Sequence, residues 1–525
     1  MILRLSNRQL FIYGLVIILF GIVIGSVSLT YPFGRDQGFY AYIGKLLLEG
    51  KMNYLYAFDL KPPGSQFLFA FAQFVSGGSM FNFRIFDMVW QTLTAYILFI
   101  IAFRLTDKKS LSLVSAFLYL FLYYRLDYWH TLQADGSLNL PFAVCVLLLL
   151  SSYDRHSFVK IFLAGIMFAV VLLFKYTIIS FLPLVFVCFL ISRKEVSSLR
   201  FKNIAAYLFG IVVLTGITAL LFVFTGAFKE LVNIQFVQTP LYTKLAYETE
   251  TSEYILGQLT GLFTFSVYTP LIYFSLFGFI LLLIKRKLDF VNALVFSWIV
   301  SSLFSLIIQW KFYYYHFLVI IPSLSLGAIV FVSFILDNLK QNRKRPAAFI
   351  FAILLLGFIA FSYKPYISNY ETLSGYFSGR ETLKDVYLKN GFTQDSVFMI
   401  KKTFNAIDYV NQHSNADDLI YLWGYDPIVY YLSGRKCVSR FIYNVPLLWK
   451  GENTEFRKEF MIEMNKKNPK LILVASGDPL YFISGYNEDS KQLLERFVEF
   501  SSFIREKYVF KKRIDDYDYY ELKNW

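Results

Sequence analysis

Histidine and cysteine are scarce in this chain, which restricts the chemistry that its sequence can support. The 525 residues include four histidines and three cysteines. No two histidines have the helical spacing of zinc ligands, so a histidine-based metal site has no support, whereas a divalent metal held by carboxylates stays open. Cys145 and Cys188 lie in apolar runs, where we expect small core residues, and Cys437 stands alone in the polar C-terminal part. We therefore predict no disulfide framework in that part.

Charged residues are also few, at 17% of the chain, while 56% of the residues are hydrophobic. This composition excludes a soluble protein of this length and predicts a polytopic membrane protein. The net charge of +14 would suggest nucleic acid for a soluble protein. Here much of the excess lies in short loops between apolar runs, so it indicates topology and no nucleic-acid partner. No small-residue cleavage site follows the first apolar run, which we expect to be a retained helix.

Long apolar runs predict about eleven transmembrane helices, because crossing a bilayer takes ~20 apolar residues. They lie near residues 11–31, 83–104, 110–124, 138–153, 158–174, 177–192, 203–225, 262–284, 290–309, 316–336 and 347–363. Lysine and arginine collect in alternate loops, which the positive-inside rule places in the cytoplasm. An odd number of spans places the rest of the chain outside. We therefore predict a transmembrane core at 1–363 and an extracytoplasmic α/β domain at 364–525.

Smaller elements are predicted in the outer parts of the chain. Segments 38–48 and 65–75 in the first outer loop are apolar but too short to span, so we expect helices that lie in the membrane interface. The C-terminal part has short apolar runs that predict buried strands, an alternating pattern that predicts a hairpin, and helical patterns between them. The strands are predicted at 419–423 and 471–475, the hairpin at 508–522, and the helices at 401–412, 455–465 and 491–503. This part carries no glycine-rich nucleotide fingerprint.

Polar side chains expected on the outer side of the membrane form the candidate site. Ionisable groups close to lipid are costly, so they are functional candidates. A carboxylate there can take a proton from an attacking hydroxyl, and lysines can hold a phosphate and stabilise the charge that builds on it. This combination suits a transferase or hydrolase that acts on a phosphorylated lipid. The candidates are Arg35, Asp36, Asp59, Lys61, Asp127, His130, Asp135, Lys175, Gln309, Lys311, Tyr313, Tyr314, Tyr315 and His316.

Each candidate also has a purely structural interpretation. Asp36 suits a solvated helix cap, and Lys61, which precedes two prolines, suits a side chain that snorkels to the interface. Lys175 suits a helix terminator, and His316 suits the end of a tyrosine-rich belt at the interface. His130 and Asp135 suit residues that cap the end of a transmembrane helix. His156 and His413 are expected on the cytoplasmic side and in the tail, away from this group.

Several motifs in chain order resemble the polytopic GT-C glycosyltransferases. The closest similarity is to the bacterial branch related to protein O-mannosyltransferases and lipid A aminoarabinose transferases, and it covers about residues 10–335. Asp36 is followed by Tyr-Ala-Tyr-Ile-Gly, Leu-Leu-Glu-Gly and Lys61-Pro-Pro-Gly. The later motifs are Gln133-Ala-Asp-Gly, Phe174-Lys-Tyr and Tyr313-Tyr-Tyr-His-Phe-Leu, which leads to Pro322.

The resemblance implies roles for individual residues. Asp36 matches the first-loop acid that acts as the base on the acceptor, and Lys61 matches a loop residue associated with the carrier phosphate. Asp135 lies near the second acidic position of the family. Members usually work without a nucleotide, and several branches work without an obligate metal. The tail departs from the eukaryotic mannosyltransferases, which carry a different inserted domain, so a protein acceptor is not favoured over a glycolipid or a polysaccharide.

The implied function is an inverting transfer of a sugar from a polyprenyl-phosphate carrier to an acceptor on the outer face of a bacterial plasma (inner) membrane. A lipid carrier fits this side because nucleotide sugars and ATP are made in the cytoplasm. A transporter or flippase of lipid-linked sugars is an alternative, but it would show broken helices and repeated halves, and the sequence has no internal repeat. An O-antigen polymerase or ligase would concentrate its function in a large loop between late spans.

Overall fold

The computed structural model describes residues 5–154, 156–191, 197–248, 256, 269–284, 289–309, 312–342, 364–391, 399–449, 453–479 and 484–523. The chain divides into two compact units. The first, here called the helical unit, comprises Met1–Thr30, Arg84–Thr218 and Ser252–Glu381. The second, here called the α/β unit, comprises Tyr31–Phe83, Ala219–Thr251 and Thr382–Trp525. These units cut the chain differently from the predicted domains at 1–363 and 364–525, which stay a prediction.

The helical unit is built from apolar helices joined by short turns. Its helices, some extended by a 3-10 turn, are Asn7–Gly25 with Ser26–Thr30, Met80–Thr106, Lys109–Tyr124, Ala134–Ser137, Asn139–Asp154, Phe158–Phe174, Tyr176–Ser180, Phe181–Ile191, Ser197–Phe224, Thr269–Ile284, Phe290–Ile307, Tyr314–Val319, Ile321–Asn342 and Lys364–Phe377. Of these, Met80–Thr106 begins, and Ser197–Phe224 ends, with residues of the α/β unit.

Apolar helices occur at ten of the eleven predicted spans. Within the described part of the chain, five stretches are long and apolar enough to cross a membrane: Asn7–Thr30, Met80–Thr106, Ala134–Tyr153, Arg200–Phe224 and Phe290–Ile307. Five shorter apolar helices lie at the predicted spans near 110–124, 158–174, 177–192, 262–284 and 316–336. The chain is thus an integral membrane protein. The predicted span at 347–363 and the basic residues at 193–194, 285–287 and 343–345 lie outside the described residues, so the count of eleven stays a prediction.

Two glycines allow a close helix contact that fixes the helix leading to Lys175. A Cβ added at Gly165 would lie 2.1 Å from the carbonyl oxygen of Tyr207, and one at Gly210 would lie 2.1 Å from that of Phe162. Small residues permit such an approach between membrane helices. Helices Phe158–Phe174 and Ser197–Phe224 therefore pack with their backbones in contact. The first of these helices ends next to the candidate residue Lys175.

The α/β unit contains a five-stranded sheet in the order β2-β1-β3-β5-β4. Its strands are β1 (Leu419–Trp423), β2 (Lys436–Cys437), β3 (Leu471–Ala475), β4 (Tyr508–Ile514) and β5 (Tyr517–Leu522). The first three are parallel, with Ile420 opposite Leu471, and β5 runs antiparallel to β3 and β4. β3 is buried along its whole length, as the continuous apolar run predicts for an inner strand. The predicted strands and hairpin are confirmed.

Helices from three parts of the sequence pack in this unit. They are Arg35–Leu48, Gly64–Ser76, Phe228–Val232, the π-helical turn Asn233–Gln238, Thr239–Glu248, Leu383–Asn390, Ile400–His413, Ile428–Ser433, Val445–Leu448, Thr454–Lys467, Ser490–Leu494 and Val498–Lys507. The helices predicted at 401–412 and 455–465 are confirmed. The single helix predicted at 491–503 is wrong, because a turn at residues 495–497 divides it into two.

The two first-loop helices predicted at 38–48 and 65–75 are observed, but their surroundings differ. Arg35–Leu48 is buried at most positions, and a Cβ added at Gly38 would lie 2.5 Å from the Cβ of Ile428. Helix Gly64–Ser76 instead exposes Phe71 and Phe74, which are 52% and 78% accessible. The second helix has the apolar outer face expected of an interfacial helix, and the location of both in the interface stays a prediction.

Candidate active site

Asp36 lies in the first turn of helix Arg35–Leu48, where the free N–H groups favour a carboxylate. The turn begins at Gly34, whose N–H donates to the side-chain oxygen of Gln37 at 3.0 Å. The Oδ2 of Asp36 accepts a hydrogen bond from the Nζ of Lys61 at 3.0 Å. Asp36 and Lys61, the two leading candidates from the sequence, therefore form an ion pair, and their side chains are 17% and 34% exposed, respectively.

Tyr40 is the third member of this group, and sequence reasoning did not select it. Lys61 also donates to the Tyr40 hydroxyl, and its Nζ lies 4.9 Å from the centre of the Tyr40 ring. Tyr40 follows Asp36 by one helical turn, which puts both side chains on the same face of the helix. That spacing could have identified Tyr40, once the segment was recognised as a helix.

A buried carboxylate shapes the loop that carries Lys61. The Oδ1 of Asp59 accepts the backbone N–H of Lys61 at 2.9 Å, and Gln66 donates to its other oxygen. Asp59 is 3% exposed, and this burial raises its pKa to about 7, although the hydrogen bond from the Lys61 N–H and the Lys61 charge favour the ionised form. Asp59 therefore holds the backbone of Lys61 in place, and with it the start of the Lys61 side chain.

Donors from elsewhere in the unit occupy the carbonyl groups of the same loop. Tyr54 donates its hydroxyl to the Lys61 carbonyl at 2.8 Å. The side-chain amide of Gln235 donates to the carbonyls of Asp59 and Lys61, at 3.2 Å and 3.1 Å. Thr239 donates to the carbonyl of Leu60 at 3.1 Å. Gln235 is buried in the π-helical turn Asn233–Gln238, and such turns often occur at functional sites.

A second ion pair lies in the helical unit. Lys175, at the C-terminal end of helix Phe158–Phe174, donates to the Oδ1 of Asp135 in the short helix Ala134–Ser137. Lys175 is 7% exposed and Asp135 is 5% exposed, so both charges are buried. Buried charges of this kind are tolerated because each compensates the other.

The histidine candidates lie in an aromatic cluster of the helical unit. The Nδ1 of His130 lies 2.7 Å from the Oδ1 of Asp127, and its ring centre lies 5.5 Å from that of Tyr314. His316 is buried, with its ring centre 5.3 Å from that of Tyr313. This cluster brings the candidates His130, Tyr313 and His316 to one place.

Arg84 was not selected from the sequence, although it supports the His130 loop. It is fully buried and donates to the hydroxyl of Thr131 at 2.9 Å and to the carbonyl of Tyr128 at 3.0 Å. Its position in a long apolar helix was the available signal, because a charge there is costly.

Arg35 lies in the α/β unit beside Asp36 in sequence, with a different environment. Its guanidinium carbon lies 5.6 Å from the centre of the Tyr425 ring, and the residue is 8% exposed. The predicted candidates thus form three groups: Asp36 with Lys61, Asp135 with Lys175, and His130 with Tyr313 and His316. Gln309 is described as well and donates to the Ser305 carbonyl, whereas Lys311 lies outside the described residues.

A metal held by carboxylates gains no support from the described residues. Among them, no group of three or more histidine, cysteine, aspartate or glutamate side chains could hold a metal ion.

Comparisons with known proteins agree with the fold. A family model described as dolichyl-phosphate-mannose-protein mannosyltransferase matches residues 60–222. No curated protein sequence matches the chain. The crystal structure of ArnT from Cupriavidus metallidurans bound to undecaprenyl phosphate is similar, with a TM-score of 0.59, 14% identity and coverage of 98% of both chains.

Two further structures share the architecture. ArnT from the same organism in the apo state gives a TM-score of 0.57 at 13% identity, again over 98% of both chains. The oligosaccharyltransferase AglB from Archaeoglobus fulgidus, in complex with an inhibitory peptide and a dolichol-phosphate, gives 0.50 at 11% identity, over 90% of this chain and 70% of AglB. The fold is that of the GT-C glycosyltransferases. The resemblance to the branch that contains protein mannosyltransferases and ArnT is confirmed.

The contacts of Gln235 lead to a prediction about the Lys61 loop. Gln235→Ala removes two hydrogen bonds to the carbonyls of this loop, so the loop should be held less firmly and the free energy of unfolding should fall by about 1–3 kcal/mol, as expected when buried carbonyls lose a donor. Gln238→Ala is the matched control, since Gln238 belongs to the same turn and its amide bonds Asn233 at 3.4 Å. Equal thermal unfolding midpoints of the two variants and the wild type, measured in detergent, would contradict this role.

The raised pKa of Asp59 predicts a pH-dependent stability. The folded protein keeps this proton up to a pKa of about 7, whereas an unfolded aspartate loses it near pH ~4. Wild-type stability should therefore fall as the pH rises between these values and then level off, because the folded state binds the extra proton. Asp59→Asn should abolish this component of the pH dependence.

The measurement is the midpoint of thermal unfolding in detergent from pH 4 to pH 9. The midpoint of the wild type relative to Asp59→Asn should decrease up to about pH 7 and stay constant above it. Asp417→Asn, at an exposed carboxylate of the same unit, should keep the wild-type profile. A constant difference between wild type and Asp59→Asn over the whole range would show that Asp59 titrates normally.

Proposed function

We propose that the chain is a glycosyltransferase that moves a sugar from a polyprenyl-phosphate carrier to a cell-surface acceptor, with inversion at the anomeric carbon. The acceptor is a glycolipid, a polysaccharide or a protein. The observation that carries this proposal is the ion pair between Asp36 and Lys61, held by a braced loop in the α/β unit. The fold it shares with ArnT, whose structure contains undecaprenyl phosphate, supports a lipid-linked donor.

The two side chains supply complementary chemistry. The acceptor hydroxyl attacks the anomeric carbon from the face opposite the phosphate, and Asp36 accepts its proton. As the new bond forms, the bond between the anomeric carbon and the phosphate oxygen breaks, and the carrier phosphate leaves with the electron pair. Lys61 stabilises the negative charge that grows on that oxygen. A single displacement of this kind inverts the configuration and needs no covalent intermediate.

Lys61 is suited to bind a phosphate because its ammonium is partly exposed and its backbone is fixed. The side chain is 34% exposed, so a ligand can reach it, whereas the loop below is held by Asp59, Gln235 and Tyr54. Asp36 and Tyr40 accept hydrogen bonds from this ammonium. Its positive charge attracts a carrier phosphate that approaches from the solvent side.

The proposal assigns supporting roles to the second group of candidates. The substrate-binding roles of Asp135, Lys175, His130, Tyr313 and His316 stay predictions for the helical unit by itself. These assignments rest on the resemblance to GT-C enzymes and on the pairing observed within the helical unit. We also propose that the protein lies in the plasma membrane of a bacterium, with the active site and the tail outside the cytoplasm, because the basic loops alternate along the chain.

Replacement of the proposed base gives a direct test. Asp36→Asn keeps the size of the side chain and its place in the first helical turn but cannot accept a proton. Since general base catalysis contributes ~10²–10⁴-fold, turnover should fall by at least about a hundredfold. The assay is release of polyprenyl phosphate from polyprenyl-phosphate hexoses and pentoses in nanodiscs, with membrane extract from the source cell as acceptor.

Glu49→Gln is the matched control for Asp36. Glu49 caps the other end of the same helix and pairs with Lys51 at 2.9 Å. This variant should keep wild-type turnover. If Asp36→Asn retains more than half of the wild-type activity, Asp36 is not the base.

The role of Lys61 is tested through carrier affinity. Lys61→Ala should weaken the binding of undecaprenyl phosphate by about tenfold, the scale of a lost hydrogen bond to a charged group, and slow turnover as well. Lys61→Arg should recover part of the affinity, because guanidinium keeps the charge but differs in shape. Lys51→Ala, in the same loop region and paired with Glu49, should leave affinity unchanged. An unchanged affinity for Lys61→Ala would leave Lys61 with only its snorkelling role.

A further inference from the structure

Arg440 is a buried cation that joins three separate parts of the α/β unit. It follows β2 in the tail and is 9% exposed. Its Nη1 donates to Glu230 at 2.6 Å and to the carbonyl of Tyr54 at 3.1 Å, and its Nη2 donates to Glu459 at 2.7 Å. Two carboxylates thus compensate the buried charge, as a cation withdrawn from water requires. The planar guanidinium holds its donors in fixed directions, so these contacts also fix the three parts relative to one another.

Tyr54 is held by this guanidinium in a strained conformation. Its φ is 66°, in the left-handed region that bulky residues rarely adopt, and the residue is fully buried. Its N–H donates to the carbonyl of Ala57 at 2.8 Å, and its own carbonyl accepts from Arg440. Strained residues of this kind persist only where their surroundings hold them, and they cluster at functional sites. Because the Tyr54 hydroxyl donates to the Lys61 carbonyl at 2.8 Å, Arg440 supports the conformation from which Tyr54 reaches Lys61.

A second path leads from Arg440 to Lys61 through Glu230. The helix that contains Glu230 runs without a break into the π-helical turn that contains Gln235. The Gln235 amide donates to the Lys61 carbonyl at 3.1 Å, so this carbonyl accepts from both paths. Glu230 is 210 residues away from Arg440 in sequence, and Tyr54 is 386 residues away. Two distant segments are therefore held by one guanidinium and converge on one carbonyl group.

The backbone of Arg440 provides a third path. Its carbonyl accepts the N–H of Phe58 at 2.7 Å. Phe58 is fully buried, with its ring centre 5.9 Å from that of Phe441. The next residue is Asp59, whose carboxylate accepts the N–H of Lys61 at 2.9 Å. The three paths from Arg440 thus reach both polar backbone groups of Lys61, the N–H and the carbonyl.

We propose that Arg440 is a positioning residue for Lys61, which acts through the backbone that carries the ammonium. The proposal rests on the proposed function for the carrier phosphate, but the positioning itself is tested without carrier or transfer. A purely structural ion pair would stabilise the unit without a specific effect at Lys61. The test therefore compares Lys61 with a second position that adjoins the same ion pair.

The test measures the mobility of a nitroxide label on Lys61→Cys by electron paramagnetic resonance, in the full chain in nanodiscs with the three native cysteines replaced by alanine. A label on Lys458→Cys is the reference, because Lys458 directly precedes Glu459 and its side chain is 66% exposed. Arg440→Lys keeps a positive charge but loses the planar fork. Tyr54→Phe removes only the hydroxyl that reaches Lys61.

Arg457→Lys is the matched control for Arg440→Lys. Arg457 belongs to the same unit, and its Nε donates to the carbonyl of Leu447 at 2.8 Å. This variant should change the mobility of neither label. Thermal unfolding midpoints are recorded for every variant as a folding control.

Arg440→Lys and Tyr54→Phe should each shorten the rotational correlation time of the label at position 61. The label at position 458 should keep its mobility, because its helix is also held by the buried Phe456 and Phe460. An unchanged label at position 61 in Arg440→Lys, or equal mobilisation of both labels, would overturn the proposal. If Arg440→Lys does not fold, Tyr54→Phe decides by the same criterion.

The link to the carrier is tested with unlabelled protein. Arg440→Lys should weaken the binding of undecaprenyl phosphate by about threefold, less than Lys61→Ala, because the ammonium is displaced and not removed. In the Lys61→Ala background, Arg440→Lys should have no further effect, since the effects of coupled residues do not add. An equal loss in both backgrounds would overturn the proposal, because Arg440 would then act independently of Lys61.

The two measurements separate this inference from the proposed function. A label that is mobilised at position 61, together with equal carrier affinity of the wild type and Lys61→Ala, would refute the role of Lys61 in the proposed function and leave its positioning by Arg440 standing. An unchanged label at position 61, together with weaker carrier binding by Lys61→Ala, would do the reverse.

Discussion

The position of the Lys61 ammonium beside Asp36 is the constraint on which the candidate site depends. A lysine side chain has high rotational freedom, and fixing it costs conformational entropy. The backbone of Lys61 is held in place, because its N–H donates to Asp59 and its carbonyl accepts from Tyr54 and Gln235. Only the freedom of the side chain itself is then left to be lost. The side chain itself keeps its contacts with Asp36 and Tyr40 and still reaches solvent. A fixed backbone with an accessible charged end is what electrostatic preorganisation requires.

In a chain this apolar, nearly every charge that is withdrawn from water needs a partner, and this affects how function can be inferred. Lys175 and Asp135 are both buried, so removing Lys175 would leave a buried carboxylate unpaired, which typically destabilises a protein strongly. Lys61 and Asp36 are partly exposed, so water can compensate either one. Loss of activity in a Lys61 variant is therefore informative about chemistry, whereas loss in a Lys175 variant first requires proof that the protein folds.

The sequence predicted the elements that local patterns determine and missed those that depend on distant contacts. Strands β1 and β3 follow from uninterrupted apolar runs, and most of helix Arg35–Leu48 follows from the helical spacing at 38–48, whereas its first turn, with Arg35 and Asp36, was not predicted. Gln235 could not be found in this way, because it meets the Lys61 loop 174 residues away in sequence. The same limit applies to the compact units: order along the chain does not reveal that the first outer loop packs with the tail in one unit.

Packing between the first-loop helix and the tail holds Asp36 in place within the α/β unit. Gly38 lies two residues after Asp36, and its missing side chain lets the helix contact Ile428, which begins the helix after β1. On the same helix, the hydroxyl of Tyr42 accepts the backbone N–H of Cys437 in β2 at 2.9 Å. These two contacts hold the helix that carries Asp36 against the elements around β1, and so they fix the direction of the Asp36 side chain. The geometry of the Asp36–Lys61 pair consequently depends on this packing within the α/β unit, so a change that loosens the packing should also displace Asp36 from Lys61.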